Sequence, residues 1–274
     1  MSYVPRYPVF VPSKGRWERP LTARCFLDDG VPFRLVVEPS EEEQYRAALP
    51  DANLLVAPRD NMRLLGVRNW IRDVAIEEGF DRHWQFDDNI EGVWRWHEGR
   101  RLHCDANYGI VVVEDFTDRY ENIGIAGMNY VMFASGNAAP VRTNVHVYSA
   151  SLINNRMPYR WRLVYNDDTD LCLQVLAGGL CTVLFNAILV QKAGTMTIKG
   201  GNTDDLYQGD GRLRMARELE RWWPGVVRVD RRFQRPQHVV DWTRFDTPLI
   251  RRTDLDWDAI AATTYPAKLT KRER

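Results

Sequence analysis

Through the first ninety residues, short apolar runs alternate with longer segments whose apolar positions recur every three or four residues. Val9-Phe10-Val11 is the first run and reads as a strand. Pro20, a favourable first-turn residue, opens a helix over 20–27 that Asp28-Asp29-Gly30 closes. Residues 33–37 predict a second strand, stopped at Glu38-Pro39-Ser40. Residues 41–49 predict a helix whose acidic first turn suits the helix dipole. Leu54-Leu55-Val56 is a third strand, and Asn61 is a candidate cap for the next helix. Over 67–78, Trp70, Ile71, Val74 and Ala75 fall on one helical face before Gly79. Trp84-Gln85-Phe86 then runs straight into Asp87-Asp88-Asn89.

Alternation of this kind, with short connections, predicts an α/β fold with parallel strands and helices on both faces. Ligands in such sheets bind beyond the carboxyl ends of the strands. Four polar loops, 12–16, 38–40, 57–60 and 87–89, would share that rim. They nominate Pro12, Ser13, Arg16, Glu38, Arg59, Asp87 and Asp88 as ligand-binding residues. Arg68, one helix before the acidic strand, joins them because a guanidinium fork suits phosphate oxygens; a surface ion pair is the plainer alternative.

Beyond residue 105 the pattern changes. Residues 107–120 are mixed and partly helical, and 123–133 and 145–152 read as strands, with Val145, Val147 and Ser149 alternating against His146 and Tyr148. A strand over 160–165 leads into Asn166-Asp167-Asp168-Thr169-Asp170, then a helix over 170–177 and a strand over 181–191. A loop over 195–207, a basic helix over 211–222, short strands at 226–229 and 238–241 and a polar tail complete the chain. No repeat or linker divides it, so residues 1–274 form a single domain.

Charge adds one asymmetry. The total is zero, which argues against a generally basic nucleic-acid protein, yet residues 212–274 carry +6 and the remainder −6. The four cysteines form no CxxC pair, and no signal-peptide core or membrane-length apolar run is present. A soluble, reduced, intracellular chain is expected.

Asp87-Asp88-Asn89 at a strand end supplies oxygen ligands for a divalent cation such as Mn²⁺ or Mg²⁺ carrying a phosphorylated ligand; a capped turn is the bland alternative. Residues 12–16 match neither a P-loop nor GxGxxG, which disfavours a nucleotide hydrolase and a dehydrogenase. In the second acidic cluster one residue, Asp168 or Thr169, suits a helix cap, but a cap does not need Asp167, Asp168 and Asp170 together. A general base that deprotonates a hydroxyl does need such a carboxylate. His238, in a late strand-like run, is the candidate for a missing metal ligand or a packed histidine; the other four histidines show no ligand spacing.

In order along the chain, residues 9–16 with Pro-Ser-Lys-Gly-Arg, Phe86-Asp87-Asp88-Asn89, residues 165–173 and Gln237-His238-Val239-Val240-Asp241 resemble a GT-A glycosyltransferase, most nearly the TET-associated glycosyltransferases of phages. The resemblance implies a GT-A-like mixed sheet, with 1–105 as a nucleotide-sugar-binding half, 106–245 as an acceptor half and 246–274 as a tail. It implies transfer of a sugar from a UDP-sugar to the hydroxyl of 5-hydroxymethylpyrimidine in DNA. By the family pattern Asp87 lies by the ribose, Asp88 or Asn89 on the metal with His238 as a further ligand, and Asp167 or Asp168 acts as base. Asn89 departs from the acidic third position of that motif. A protein or glycan acceptor, a nucleotidyltransferase and a non-catalytic nucleotide-sugar-binding module are the rival readings.

Overall fold

The structure is a computed structural model and describes residues 3–134, 138–193, 211–232 and 235–263. The first half runs β1 (Val9–Pro12), α1 (Leu21–Asp28), β2 (Arg34–Val37), α2 (Glu42–Ala48), β3 (Leu54–Val56), α3 (Arg63–Glu77) and β4 (Arg82–Phe86). Next come a hairpin, β5 (Ile90–His97) and β6 (Arg100–Cys104), then α4 (Ala106–Thr117), β7 (Ile123–Tyr130), β8 (Val141–Thr143) and β9 (Ala150–Asn154). The described chain ends with α5 (Asp167–Ala177), β10 (Cys181–Lys192), α6 (Gly211–Trp222), β11 (Val227–Arg232), β12 (Arg235–Val240) and α7 (Trp257–Ala261).

Ten strands form one mixed sheet in the order β3-β2-β1-β4-β9-β7-β10-β5-β6, with β8 on β10; β11 and β12 pair separately. β3, β2, β1 and β4 are parallel, β9 runs antiparallel between β4 and β7, and β10 is parallel to β7 and antiparallel to β5. The strand period of two decides which helix each side chain meets. Val9, Val11, Leu35, Val37, Trp84 and Phe86 share a core with Phe26 of α1, Tyr45 of α2 and Ile110 of α4. Phe10 and Val36 point the other way, onto Ile71 and Ala75 of α3. Farther along that second face, Ile125 and Leu184 pack on Leu171, Cys172 and Val175 of α5. Burying apolar area on both faces at ~25 cal/mol per Å² is what holds the three layers together.

Three sequence expectations need correction. Residues 160–165 alternate in burial, with Trp161 and Leu163 buried, but form no strand. Side chains of α3 take one carbonyl of this segment and three of the residues leading into it. Asn69 donates to the Trp161 carbonyl at 2.7 Å, and Arg72 donates to those of Asn155 at 2.9 Å, Met157 and Tyr159. The strand expected from 145 begins at Ala150, because Ser149 is left-handed (φ 58°) and Val145 is instead tied to Thr182. Helix α5 starts at Asp167 after the left-handed Asn166 (φ 52°), so all three aspartates lie in its first turn and none is the N-cap residue. The loop expected over 195–207 lies outside the described residues. Among the described residues no helix is long and apolar enough to cross a membrane.

Candidate active site

The carboxyl end of β4 delivers the acidic turn, and two contacts fix it there. The Asp87 amide donates to the Ser149 carbonyl at 2.7 Å, extending the β4–β9 ladder by one residue. From α1, the buried Thr22 hydroxyl donates to the Asp87 carbonyl at 2.6 Å and accepts from the Ile90 amide at 2.8 Å. Asp87 and Asp88 have entirely separate partners.

Asp88 faces the turn after β1. One oxygen accepts from Ser13 Oγ at 2.8 Å, the other pairs with the Arg16 guanidinium, and Ser13 Oγ also meets the Tyr45 hydroxyl at 2.7 Å. Burial raises the Asp88 pKa, and Arg16 opposes the rise. Gly15 has φ 66°, a conformation glycine adopts without strain. The turn amides are already engaged, Gly15 N by Glu41 at 2.9 Å and Arg16 N by the Tyr45 hydroxyl at 3.1 Å. Lys14 is paired with the buried Glu38 at 2.7 Å, and Glu38 also accepts from the Asn61 amide at 2.8 Å. Pro12 ends β1, while Arg59 is exposed in the turn after β3.

Asp87 belongs to a second group. Its Oδ2 accepts from Ser149 Oγ at 2.6 Å and from Lys192 Nζ at 2.8 Å, and its Oδ1 accepts from Arg68 at 3.2 Å. The same guanidinium lies 3.2 Å from Asp167 Oδ2. Arg68 thus joins the acidic turn of β4 to the first turn of α5. Burial works against charge on Asp87, yet Lys192 and then Arg68 hold its pKa below the ordinary value. Lys192 is itself raised, because Asp87 and Tyr130 outweigh the cost of its burial. Its ammonium also donates to Ser149 Oγ at 3.0 Å and to the Tyr130 hydroxyl at 3.3 Å.

At the start of α5 the three aspartates separate by task. Asp170 is fully buried and spent, accepting two bonds from Arg162 at 2.9 Å, one from Trp223 at 2.7 Å and one from Gln174 at 2.8 Å. Asp167, facing Arg68, is raised by burial. Asp168 lies 3.2 Å from His146 Nε2 and accepts from the Thr169 amide at 2.7 Å. Burial opposes its charge, but His146 and Arg68 hold it well below the usual carboxylate range. The helix N-terminus favours both negative charges.

A divalent cation does not fit the proposed set as it stands. Both oxygens of Asp88 are held by Ser13 and Arg16, and Asn89 offers one buried oxygen, Oδ1, that accepts no hydrogen bond. His238, on β12, has His146 and Asp168 as its titratable neighbours. Among the described residues no three His, Cys, Asp or Glu side chains are grouped to hold a metal.

Sequence reasoning missed Ser149, Lys192, Tyr130, Tyr45 and His146. Alternation marked 145–149 as strand, and Lys192 stands at the end of an apolar run, where a solvated cation is the ordinary expectation.

A parallel β-α-β half continued by antiparallel strands, with carboxylates gathered at the strand ends, is the layout of a glycosyltransferase. The sequence model of the family described as TET-Associated Glycosyltransferase matches residues 7–201, and the chain belongs to that family. Among solved structures, a protein of Desulfovibrio desulfuricans G20 described as a candidate nucleotide-diphospho-sugar transferase is similar at 11% identity, over 66% of this chain and 80% of that one. Its TM-score of 0.39 is too low to bear on chemistry. No curated protein matches the chain.

Proposed function

We propose that this glycosyltransferase moves a sugar from a UDP-sugar to the hydroxyl of 5-hydroxymethylpyrimidine in DNA. The observation that supports it most is the Arg68 fork, 3.2 Å from Asp87 on one side and 3.2 Å from Asp167 on the other. A donor held beyond β4 and an acceptor held at α5 would meet across that guanidinium. In this reading Ser13, Arg16, Tyr45 and Asp88 hold the nucleoside. Arg68 and Lys192 offset the charge of the leaving diphosphate, an electrostatic role that a dry site strengthens. The acceptor's proton is taken at the start of α5, beside Asp167 and Asp168.

The DNA acceptor draws support from the family and from one surface. Arg214, Arg217 and Arg221 on α6 are exposed, as are Arg228 and Arg231 on β11, which suits a phosphate backbone. A cation supplied with the donor would add charge stabilisation. With the donor set already engaged, chelation by EDTA is expected to leave the affinity for UDP within about threefold.

The test is UDP release from a panel of UDP-sugars, with hydroxymethylated DNA, unmodified DNA and protein acceptors in parallel. Release that depends on hydroxymethylated DNA supports the reading, release with protein alone moves the acceptor, and no release from any donor overturns it. Arg68→Lys, which loses the fork but keeps the charge, is expected to cut turnover by about tenfold or more.

A further inference from the structure

We infer that His146 takes the acceptor's proton and that Asp168 is its positioning residue; the inference rests on the glycosyl transfer proposed above. Which group at the start of α5 can receive a proton is decided by what each atom already does. The four bonds that Asp170 accepts leave it nothing to offer. Asp167 is turned toward Arg68, with its Oδ2 buried 3.2 Å from that guanidinium. Asp168 has one oxygen on the Thr169 amide and the other on His146, so both are already engaged.

His146 stands where that carboxylate can act through it. Its Nε2 lies 3.2 Å from Asp168 Oδ2 and 3.2 Å from Thr169 Oγ1. With an acceptor carboxylate on that side the ring hydrogen belongs on Nε2, which leaves the lone pair on Nδ1. The ring is clamped, stacked on Trp242 (5.9 Å between centroids, planes 10° apart) and edge-on to Tyr148 at 4.9 Å. Tyr148 packs in turn on Tyr130 at 4.5 Å, whose hydroxyl meets Ser149 and Lys192 beside Asp87. Two tyrosines thus link the imidazole to the acidic turn, and 29% of its side chain is exposed. The groups facing it are Asp168 and Thr169 from α5, His238 from β12, Tyr148 and Trp242. Burial and His146 both lower the pKa of His238, so His238 favours its neutral form.

Atoms and electrons balance in this step. The acceptor oxygen bonds to the anomeric carbon while that carbon's bond to the diphosphate oxygen breaks, and the electron pair leaves with UDP. The hydroxyl proton passes to His146 Nδ1 and then to solvent.

The experiment measures transfer against pH, together with UDP affinity by calorimetry, in the wild type and in His146→Gln, His146→Ala and Asp168→Asn. His146→Gln is expected to lower kcat by about 100-fold or more, with UDP affinity within about threefold. Added imidazole should restore at least about tenfold of the activity lost in His146→Ala, and the acid limb of kcat should move to lower pH in Asp168→Asn. Should a His146 variant melt early, the wild-type limb and its shift in Asp168→Asn decide alone. Retained turnover in His146→Gln, no rescue by imidazole, or a limb unmoved by Asp168→Asn overturns the inference while UDP release stands. A wild type that neither binds UDP nor releases it overturns the underlying site reading instead.

Discussion

His83 lies on the buried face of β4, with its ring fully enclosed and both nitrogens in use. Nδ1 is 2.6 Å from Asn155 Oδ1 and Nε2 is 2.9 Å from Gln85 Nε2, which also donates to the Arg68 carbonyl at 3.0 Å. These partners set the tautomer, with Nδ1 donating and Nε2 accepting, and the ring is neutral. Burial lowers its pKa to about 3 from 6.5. Below the unfolded value the unfolded chain binds a proton that the folded chain refuses. Stability is therefore lost as pH falls from about 6.5 toward 3, at up to about 1.4 kcal/mol per pH unit. Calorimetric melts between pH 7.5 and 5 should show this slope, and His83→Gln should flatten it; equal slopes would remove His83 as the cause. The same network supports the backbone of Arg68, so a core histidine helps to position the residue that joins the two carboxylate groups. Sequence reasoning gave His83 no role because it stands at no ligand spacing from another histidine or cysteine.

At the scale of elements, the acidic turn is held by α1 as much as by the sheet. Thr22→Val would remove both bonds of its hydroxyl while keeping its shape, at a cost of about 1–3 kcal/mol, and should weaken UDP binding along with the fold. A chemical melt beside a UDP titration checks both; an unchanged affinity would show that the turn holds without α1. The pairing of β7 with β9 sets a second constraint. At Gly127 an added Cβ would run into the Ala150 carbonyl, which sits beside Ser149 and so at the site itself. Elements of the first half were legible because each is local, an apolar run or a helical stripe between turn residues. The β5–β6 hairpin carried a local sign too, Glu98-Gly99 between two strands, with φ 48° and 75°. What could not be read is what distant residues decide. Residues 160–165 have a strand's alternation, yet Asn69 from α3 claims the Trp161 carbonyl and Arg72 claims that of Tyr159 just before. His146 is held by Thr169 and Asp168, more than twenty positions along, so the pattern around it says nothing of its task.

For the molecule as a whole, the proposed activity requires that the folded chain, and not the unfolded one, binds a uridine diphosphate. UDP at about one hundred times its Kd should add about 2.7 kcal/mol and raise Tm by roughly 5–10 °C. UMP should raise it less, because Arg68 and Lys192 would meet one phosphate instead of two. Equal shifts from UDP and uridine would place the contacts on the nucleoside alone.

The Asp87–Lys192 pair spans 105 residues, and Ser149 enters 62 residues after Asp87. A ribosome adding roughly 5–20 residues per second takes about 5–20 s to supply that ammonium after the aspartate has been made. The strand that carries it, β10, is also the one that joins β5 and β6 to the rest of the sheet. In vectorial synthesis a chain stopped before Cys181 lacks both the last inner strand and the ammonium on Asp87, which is left with Arg68 as its cation. Closing the sheet and placing the last cation of its acidic turn are a single event, and a product truncated there carries both faults together.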